Sequence, residues 1–433
     1  MEKKILIFGS GYVAAPVIEY LTRHPENRLT VASNILADAE RLASHSEQVT
    51  AVTADVTNDQ AIAELVAEHD IVISLVPYLF HVAIAKQCIA LQKHLVTASY
   101  VSADMQQLDT AAREAGILIL NEIGLDPGID HLSAMKVIDE AHDKGGKVIS
   151  FASWCGGLPA PEFNDNPLGY KFAWAPRGVL LALLNEARFY KDNAVEVIAS
   201  KDLLTSAKPV VLSNELPLEG YPNRDSTPYR DAYNMPECEN LIRGTLRYPG
   251  FCEVIATAHK LGLLDLEQVS TGEMRWADWI HQALSDNAVE LSETVQTAFE
   301  WLGLMSEQMM PQADTVLDAF CSVLQAKLQY QENETDMIAL QHRFELEFAD
   351  EREYLTSTLV VKGDVGGYSA MSKTVGYPVA IATQLILDDE IRDKGVHIPV
   401  QRHFYEPILD GLEAEGIACI EQHQPELGEH FFN

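Results

Sequence analysis

The hydrophobic pattern changes character along the chain. Near the start, short and continuously apolar runs alternate with longer amphipathic stretches. Ile5-Leu6-Ile7-Phe8 is such a run, suited to a strand buried on both faces of a parallel sheet. Segments 29–32, 49–54, 70–75, 94–97 and 117–120 read as five more strands. Helical spacing fills 14–22, 59–69 and 80–91 between them. This strand–helix alternation predicts a doubly wound parallel sheet with right-handed crossovers.

After Gly124-Leu125-Asp126-Pro127-Gly128 the pattern shifts. A helix is predicted over 129–144, then a strand over 147–151. From about 210 to 335 the chain reads as mostly helical, with long amphipathic runs at 256–264 and 286–304. Alternating strands return at 343–348 and 354–361 and suit antiparallel neighbours. A helix follows over 379–388, and another over 407–420 with Pro407 in its first turn.

Composition narrows the class. A chain of 433 residues suggests two to three domains. Its 47% hydrophobic and 22% charged residues are an ordinary globular balance. The formal net charge of -33 argues against a nucleic-acid partner. A local arginine cluster can still receive a small anion. Cys88, Cys155, Cys238, Cys252, Cys321 and Cys419 show no CxxC pair and no Cys/His ligand spacing. Nor do His423 and His430 belong to a ligand cluster, so no metal is expected. Sparse thiols fit a reducing, cytoplasmic setting. Neither a signal peptide nor a membrane span is expected.

Gly9-Ser10-Gly11-Tyr12-Val13-Ala14 follows the first strand and opens a helix. In that context GxGxxA marks a dinucleotide site. Gly9 permits the turn, Gly11 lets the backbone approach a pyrophosphate, and Ala14 keeps helix and strand close. The helix N-terminus offers free N–H groups to the phosphates. The second strand ends in Ala32-Ser33-Asn34, with neither an acid for a ribose hydroxyl nor an arginine for a 2′-phosphate.

Longer blocks carry a resemblance. They include 121–131 (NEIGLDPGIDH), 155–162 (CGGLPAPE), 166–172 (NPLGYKF), 177–183 (RGVLLAL), 221–226 (YPNRDS) and 242–248 (IRGTLRY). Through them the chain resembles the saccharopine reductase family, also called saccharopine dehydrogenase (L-glutamate-forming). The resemblance implies an oxidoreductase that interconverts saccharopine with glutamate and 2-aminoadipate 6-semialdehyde through an imine. It implies NADP(H) as cofactor. Asn34 stands where the family usually has arginine, which leaves NAD(H) or dual use open. Possible alternatives are a related carboxyalkyl-amine dehydrogenase and a non-catalytic dinucleotide sensor.

The resemblance also implies site residues. Ser99, Tyr100, Asp126, Arg224, Thr245, Leu246 and Arg247 look like saccharopine contacts. The cofactor would meet Gly9, Ser10, Gly11, Tyr12, Ala32, Ser33, Asn34, Asp55, Val56, Val76, Thr97, Ala98, Leu125, Asp126, Pro127 and Trp174. The chemistry is consistent, because saccharopine carries three carboxylates and arginine grips a carboxylate through two parallel hydrogen bonds. Asp126 and Cys155 are the candidates for proton transfer. Asp130-His131 is a weaker acid–base candidate, since adjacent helical residues point apart. Lys171 suits either a ligand or the surface.

The expected fold is α/β. A Rossmann-type doubly wound domain spans 1–130, and the tail 396–433 is a candidate to return to it. A mixed α/β substrate domain covers 131–210 and 336–395, with a helical insertion over 211–335. A homodimer is the default expectation for oligomeric state.

Overall fold

The structure is a computed structural model that describes residues 2–213, 216–349 and 351–424. The chain forms two compact units, Met1–Lys144 with Gly367–Ile420, and Gly145–Gly366 with Glu421–Asn433. Residues 425–433 of the expected tail, with His430, lie outside the described residues.

In the first unit the strands are β1 (Lys3–Phe8), β2 (Asn27–Ser33), β3 (Val49–Thr53), β4 (Ile71–Ser74), β5 (His94–Thr97) and β6 (Leu118–Leu120). A seventh, Gly395–His397, pairs with β6. The order is Gly395–His397, β6, β5, β4, β1, β2, β3, and neighbours run parallel. Ile5, Leu6, Ile7 and Phe8 are all fully buried, because both faces of a parallel sheet are covered. The strand order reverses between β1 and β4. Ligands bind such sheets at the carboxyl ends of the strands, beside that reversal.

Helix Ala370–Leu387 belongs to this unit, where a place in the second domain was expected. It begins well before 379, at a cap in which the Ser369 hydroxyl accepts from the Ser372 N–H. Its backbone packs on helix Ala14–Thr22: a Cβ at Gly376 would stand 2.9 Å from the Val13 carbonyl oxygen. The last helix is Arg402–Ala414, with Pro407 inside it and not in its first turn. Residues Ile420–Gln424 form a strand.

The second unit is built on a nine-stranded mixed sheet. Its strands are β7 (Lys147–Pro159), β8 (Ala187–Lys191), β9 (Ala194–Ile198), β10 (Lys208–Ser213), β11 (Leu216–Pro222), β12 (Asn240–Arg247), β13 (Asp336–Glu347) and β14 (Arg352–Lys362). The main order is β10, β11, β12, β7, β13, β14 and Ile420–Gln424, with β8 pairing β12 and β9. β7 and β12 run parallel, and β13 pairs antiparallel with both β7 and β14.

The helical insertion expected over 211–335 is therefore corrected. Its first part is strand, up to Arg247 at the end of β12. Pro209, Pro217, Gly220 and Pro222 interrupt the alternation that would have signalled β10 and β11. Apart from the short helix Tyr229–Ala232, the described helices occupy the later part: Phe251–Lys260, Trp276–Asn287, Glu293–Leu302 and Val316–Lys327. The single run read over 286–304 is two helices. Ala288, at φ 50°, closes the first, and the Ser292 hydroxyl caps the second by accepting from the Val295 N–H.

The sheet separates two kinds of side chain. Ala152, Trp154, Ile242, Leu246, Met337 and Ala339 join one apolar cluster. The two-residue period then puts Ser153, Cys155, Arg243, Thr245, Arg247 and His342 on the opposite face.

Replacing Ser292 by alanine is expected to destabilise the chain by about 1 kcal/mol, the usual value of a serine cap. Urea unfolding checks this. An unbroken helix over 286–304 would make 292 an interior position, where alanine raises the midpoint.

Candidate active site

The glycine turn after β1 is built as its spacing predicts. Gly9 has φ 109°, and a Cβ there would lie 2.9 Å from the Leu75 carbonyl oxygen. A Cβ on Gly11 would meet nothing within 4 Å, so the backbone is open to a ligand. No side chain caps the start of helix Ala14–Thr22, which leaves its first N–H groups for an anion. At the β2 tip, the Ser10 hydroxyl donates to Ser33 Oγ at 2.8 Å, and Ser33 Oγ accepts from the Ile35 N–H. Exposed Asn34 follows. Asp55 accepts from both the N–H and the hydroxyl of Thr57, which holds its carboxyl below the usual range. These residues suit a dinucleotide: a glycine turn, an uncapped helix start and hydroxyls at the second strand tip.

A second constellation surrounds Asp126. Gly124 N–H donates to the Pro127 carbonyl at 2.9 Å, and the Asp126–Pro127 peptide is cis. Gly128 sits at φ 149°, and a Cβ there would be 2.0 Å from the Gly124 oxygen. Only glycine closes this turn. Within 121–130, Asp126 alone is not fully buried. The Tyr100 hydroxyl donates to Asp126 Oδ1 at 2.8 Å.

The pairing of Tyr100 with Asp126 is fixed from behind. Glu122 N–H donates to the Ser99 carbonyl, and Ile123 N–H donates to that of Thr97. Glu122 Oε1 accepts from the Val101 N–H at 2.9 Å, while Oε2 meets His131 Nε2 at 2.8 Å. Asp130 Oδ1 accepts from the Gly128 N–H at 2.6 Å. The expectation that Asp130-His131 acts as an acid–base pair thus changes meaning. His131 is fully buried and engaged with Glu122, and it braces the segment that carries Tyr100.

The second unit gathers other expected residues on one sheet face. Thr245 on β12 stands in register with Cys155 on β7, and Cys155 with Leu340 on β13. Arg247, two residues on, is 6% exposed. Its guanidinium carbon lies 4.9 Å from the Tyr170 ring centre and 5.1 Å from that of Phe251. Nη1 donates to the Leu246 carbonyl, and Nε has no hydrogen-bond partner among the described residues. The cross-strand neighbour Glu219 directs Oε1 to the Cys252 N–H instead. Burial pushes the Tyr170 hydroxyl up, and pushes the Tyr221 hydroxyl to about 12, so both are neutral beside Arg247 at ordinary pH. Among the described residues, no carboxylate pairs with this buried cation.

Other expected residues take different places. The Leu246 side chain is fully buried in the cluster on the opposite face, so only its backbone accompanies Thr245 and Arg247. Arg224 is exposed, and its carbonyl accepts from the Arg188 N–H. The N–H of its neighbour Asn223 donates to the Arg243 carbonyl, in the middle of β12. Four residues of strand separate Arg243 from Arg247 by roughly 13 Å. Trp174 packs on the helical cluster, against Gly178. Lys171 is buried between Asp165 at 2.9 Å and Glu334 at 2.7 Å, which makes it an internal ion pair.

Sequence reading missed Arg243. It is 5% exposed and lies 4.3 Å from the Tyr229 ring centre, on the face of Thr245 and Arg247. The alternation Arg243, Thr245, Arg247 on one strand was the available signal. It also missed His81, which is buried among Ser74, Thr97 and Ser99. Those partners come from separate strand tips, so spacing gave no warning.

Known proteins place these features in a family. Residues 5–120 match the model described as saccharopine dehydrogenase NADP binding domain, and residues 124–417 match the saccharopine dehydrogenase C-terminal domain. The chain is 44% identical to saccharopine dehydrogenase [NADP(+), L-glutamate-forming] of Saccharomyces cerevisiae, over 95% of this chain and 97% of that one. It is 40% identical to the mitochondrial alpha-aminoadipic semialdehyde synthase of Bos taurus, over 97% of this chain but 48% of that one. The solved structure of apo histidine-tagged saccharopine dehydrogenase (L-Glu forming) from Saccharomyces cerevisiae superposes with a TM-score of 0.90. It shares 43% identity and covers 98% of this chain and 100% of that one.

Burial holds the His81 pKa down at about 4, and it also lowers His69, His94 and His259. The unfolded chain then binds more protons than the folded one between about 4 and 6.5. Stability is therefore expected to fall as pH drops through that window, with up to about 3 kcal/mol from His81. Urea unfolding of the wild type and of His81→Gln across this range checks it, with a shallower slope expected in the variant. Gly128→Ala is expected to cost more than about 3 kcal/mol, because its Cβ has no room. Thermal unfolding reads that loss.

Proposed function

The chain belongs to the saccharopine dehydrogenase family, and from that premise we propose that it catalyses the NADP-dependent, L-glutamate-forming saccharopine dehydrogenase reaction. The single observation that carries the reading beyond kinship is Arg247. A guanidinium buried against aromatic rings, with no carboxylate partner among the described residues, calls for an anionic ligand, and saccharopine has three carboxylates.

Bound NADP supplies the hydride acceptor in the oxidative direction and the donor in the reductive one. The chain's own residues do the rest. Gly9, Ser10, Gly11 and Tyr12 hold the diphosphate against the helix N-terminus. Ser33 and Asn34 face the adenosine ribose. Asp55, Val56, Val76, Thr97 and Ala98 line the cofactor's path along the strand tips. Leu125 and Pro127 border the nicotinamide.

Arg247 and Thr245 grip a substrate carboxylate, and Arg224 a second one. Two arginines at separate places, Arg247 at the end of β12 and Arg224 after β11, suit a substrate with carboxylates at both ends. Ser99 donates to a carboxylate oxygen. Asp126, oriented by Tyr100, handles protons at the nitrogen. In oxidation, the secondary amine loses a hydride and a proton to become an imine. Water then adds, and the carbinolamine breaks its C–N bond to release glutamate and the semialdehyde. Asp126 takes the proton from the amine or water and returns one to the departing nitrogen. Holding both amino acids together makes the reverse condensation effectively intramolecular. Cys155, beside Thr245, lines the carboxylate site as a small thiol.

No described helix is long and apolar enough to cross a membrane. Cys88, Cys238, Cys252 and Cys321 are unbridged thiols, which supports a cytoplasmic setting. A homodimer remains the proposed assembly.

Saccharopine oxidation followed by nicotinamide absorbance, with NADP and NAD in parallel, tests the reading. Turnover with glutamate release is expected, faster with NADP. The ratio measures what Asn34 contributes to cofactor choice. Arg247→Ala is expected to lower kcat/KM for saccharopine by about 10- to 100-fold, the scale of a lost charged contact. Its dinucleotide affinity should be unchanged. Dinucleotide binding without turnover in the wild type would leave a sensor.

A further inference from the structure

His81 opens helix His81–Leu91, yet its side chain serves the strand tips. Nδ1 lies 2.8 Å from the hydroxyl of Ser74, the last residue of β4. Nε2 lies 2.8 Å from the hydroxyl of Ser99, two residues past β5, and 3.4 Å from that of Thr97. Ser74 and Thr97 stand opposite each other where β4 and β5 end. The ring therefore ties together two strands at the carboxyl edge of the sheet, where ligands bind.

The ring's environment decides its proton. His81 is 4% exposed, and burial keeps the imidazole neutral at ordinary pH, with one N–H and one lone pair. Ser74 is 1% exposed, and its hydroxyl has no hydrogen bond among the described residues other than that to His81. A buried hydroxyl proton needs an acceptor. Ser74 O–H therefore donates to Nδ1, and the ring proton sits on Nε2. That N–H donates to the Ser99 oxygen, so the Ser99 hydroxyl proton turns away from the ring. The other tautomer would make Ser99 a donor to the ring and leave it only lone pairs for a ligand. The Thr97 oxygen accepts from the Ser99 N–H at 3.3 Å, and at 3.4 Å from Nε2 its hydroxyl competes poorly with the 2.8 Å Ser74 bond for the ring's one lone pair.

We propose that His81 is a positioning residue: locked by Ser74 in the Nε2–H form, it presents the Ser99 hydroxyl as a donor to a saccharopine carboxylate. The inference rests on the reading of Ser99 as a substrate contact. His81 touches no substrate in this account and acts wholly through Ser99.

The test is a double-mutant cycle on the full chain with NADP. It uses Ser99→Ala, His81→Asn, His81→Gln and the pair S99A/H81N, with kcat and KM for saccharopine. NADPH affinity by fluorescence is the control. Ser99→Ala is expected to raise the saccharopine KM about ten-fold, the factor of one lost hydrogen bond, with NADPH affinity unchanged. His81→Asn, whose amide reaches only toward Ser74, should do the same. His81→Gln carries an N–H close to the Nε2 position and should recover most of the loss. The double variant should be no worse than Ser99→Ala alone. Should His81→Asn not fold, Ser74→Ala frees the tautomer and is expected to raise KM several-fold, but not in a Ser99→Ala background.

Additive losses in the double variant would overturn the proposal, as would equal losses in His81→Asn and His81→Gln. A silent Ser99→Ala with a damaged His81→Asn would also overturn it, and would identify the reading of Ser99 as the failed step.

Discussion

The second unit is organised around a buried cation, Arg247, that has no anionic partner among the described residues. Arg247 comes out of water into a cage of Tyr170, Phe251 and neutral polar groups. The effective penalty for burying an ion is several kcal/mol. Contact with aromatic faces returns about 0.5–2 kcal/mol of that. The remainder is a strain that a folded chain need not carry for stability. A carboxylate ligand would relieve it, which suits the guanidinium to the receptor role proposed for it. The overall charge of -33 matters little at this site, because the local field is set by the buried arginines of this sheet face.

The first unit solves a different problem, that of orientation. Asp126 lies on a tight turn that only glycine at 128 can close. Glu122, His131 and Asp130 occupy its buried side and tie it to the segment carrying Ser99, Tyr100 and Val101. Proton transfer depends on such placement as much as on acidity. The same edge carries the glycine turn and the Ser10–Ser33 pair, so the groups proposed for the cofactor and for proton transfer share one sheet rim.

Much of the first unit was legible in the sequence, because parallel strands buried on both faces leave continuous apolar runs. The glycine spacing was legible for a similar reason: each residue answers a local steric demand. The second unit was harder. Prolines and glycines in β10 and β11 masked the strand period, and a weak helical reading filled the gap. The left-handed turn at Ala288 was invisible within an amphipathic run. Resemblance blocks pointed to Thr245 and Arg247, but the face they share with Cys155 and Arg243 follows only from strand register. His81 was unreadable because its partners lie on segments that meet only after folding. Lys171 was undecidable for the same reason, since Glu334 is far from it in sequence.

The most direct measurement is the thermal stability and saccharopine affinity of Arg247→Met, which keeps the side-chain volume and removes the charge. Calorimetry with NADPH, which permits binding but not oxidation, gives the affinity. If Arg247 is held as a receptor at the expense of stability, the ligand-free variant melts higher than the wild type and no longer binds saccharopine. A lower melting temperature with saccharopine affinity intact would contradict the account, because the guanidinium would then be a stabilising part of the core.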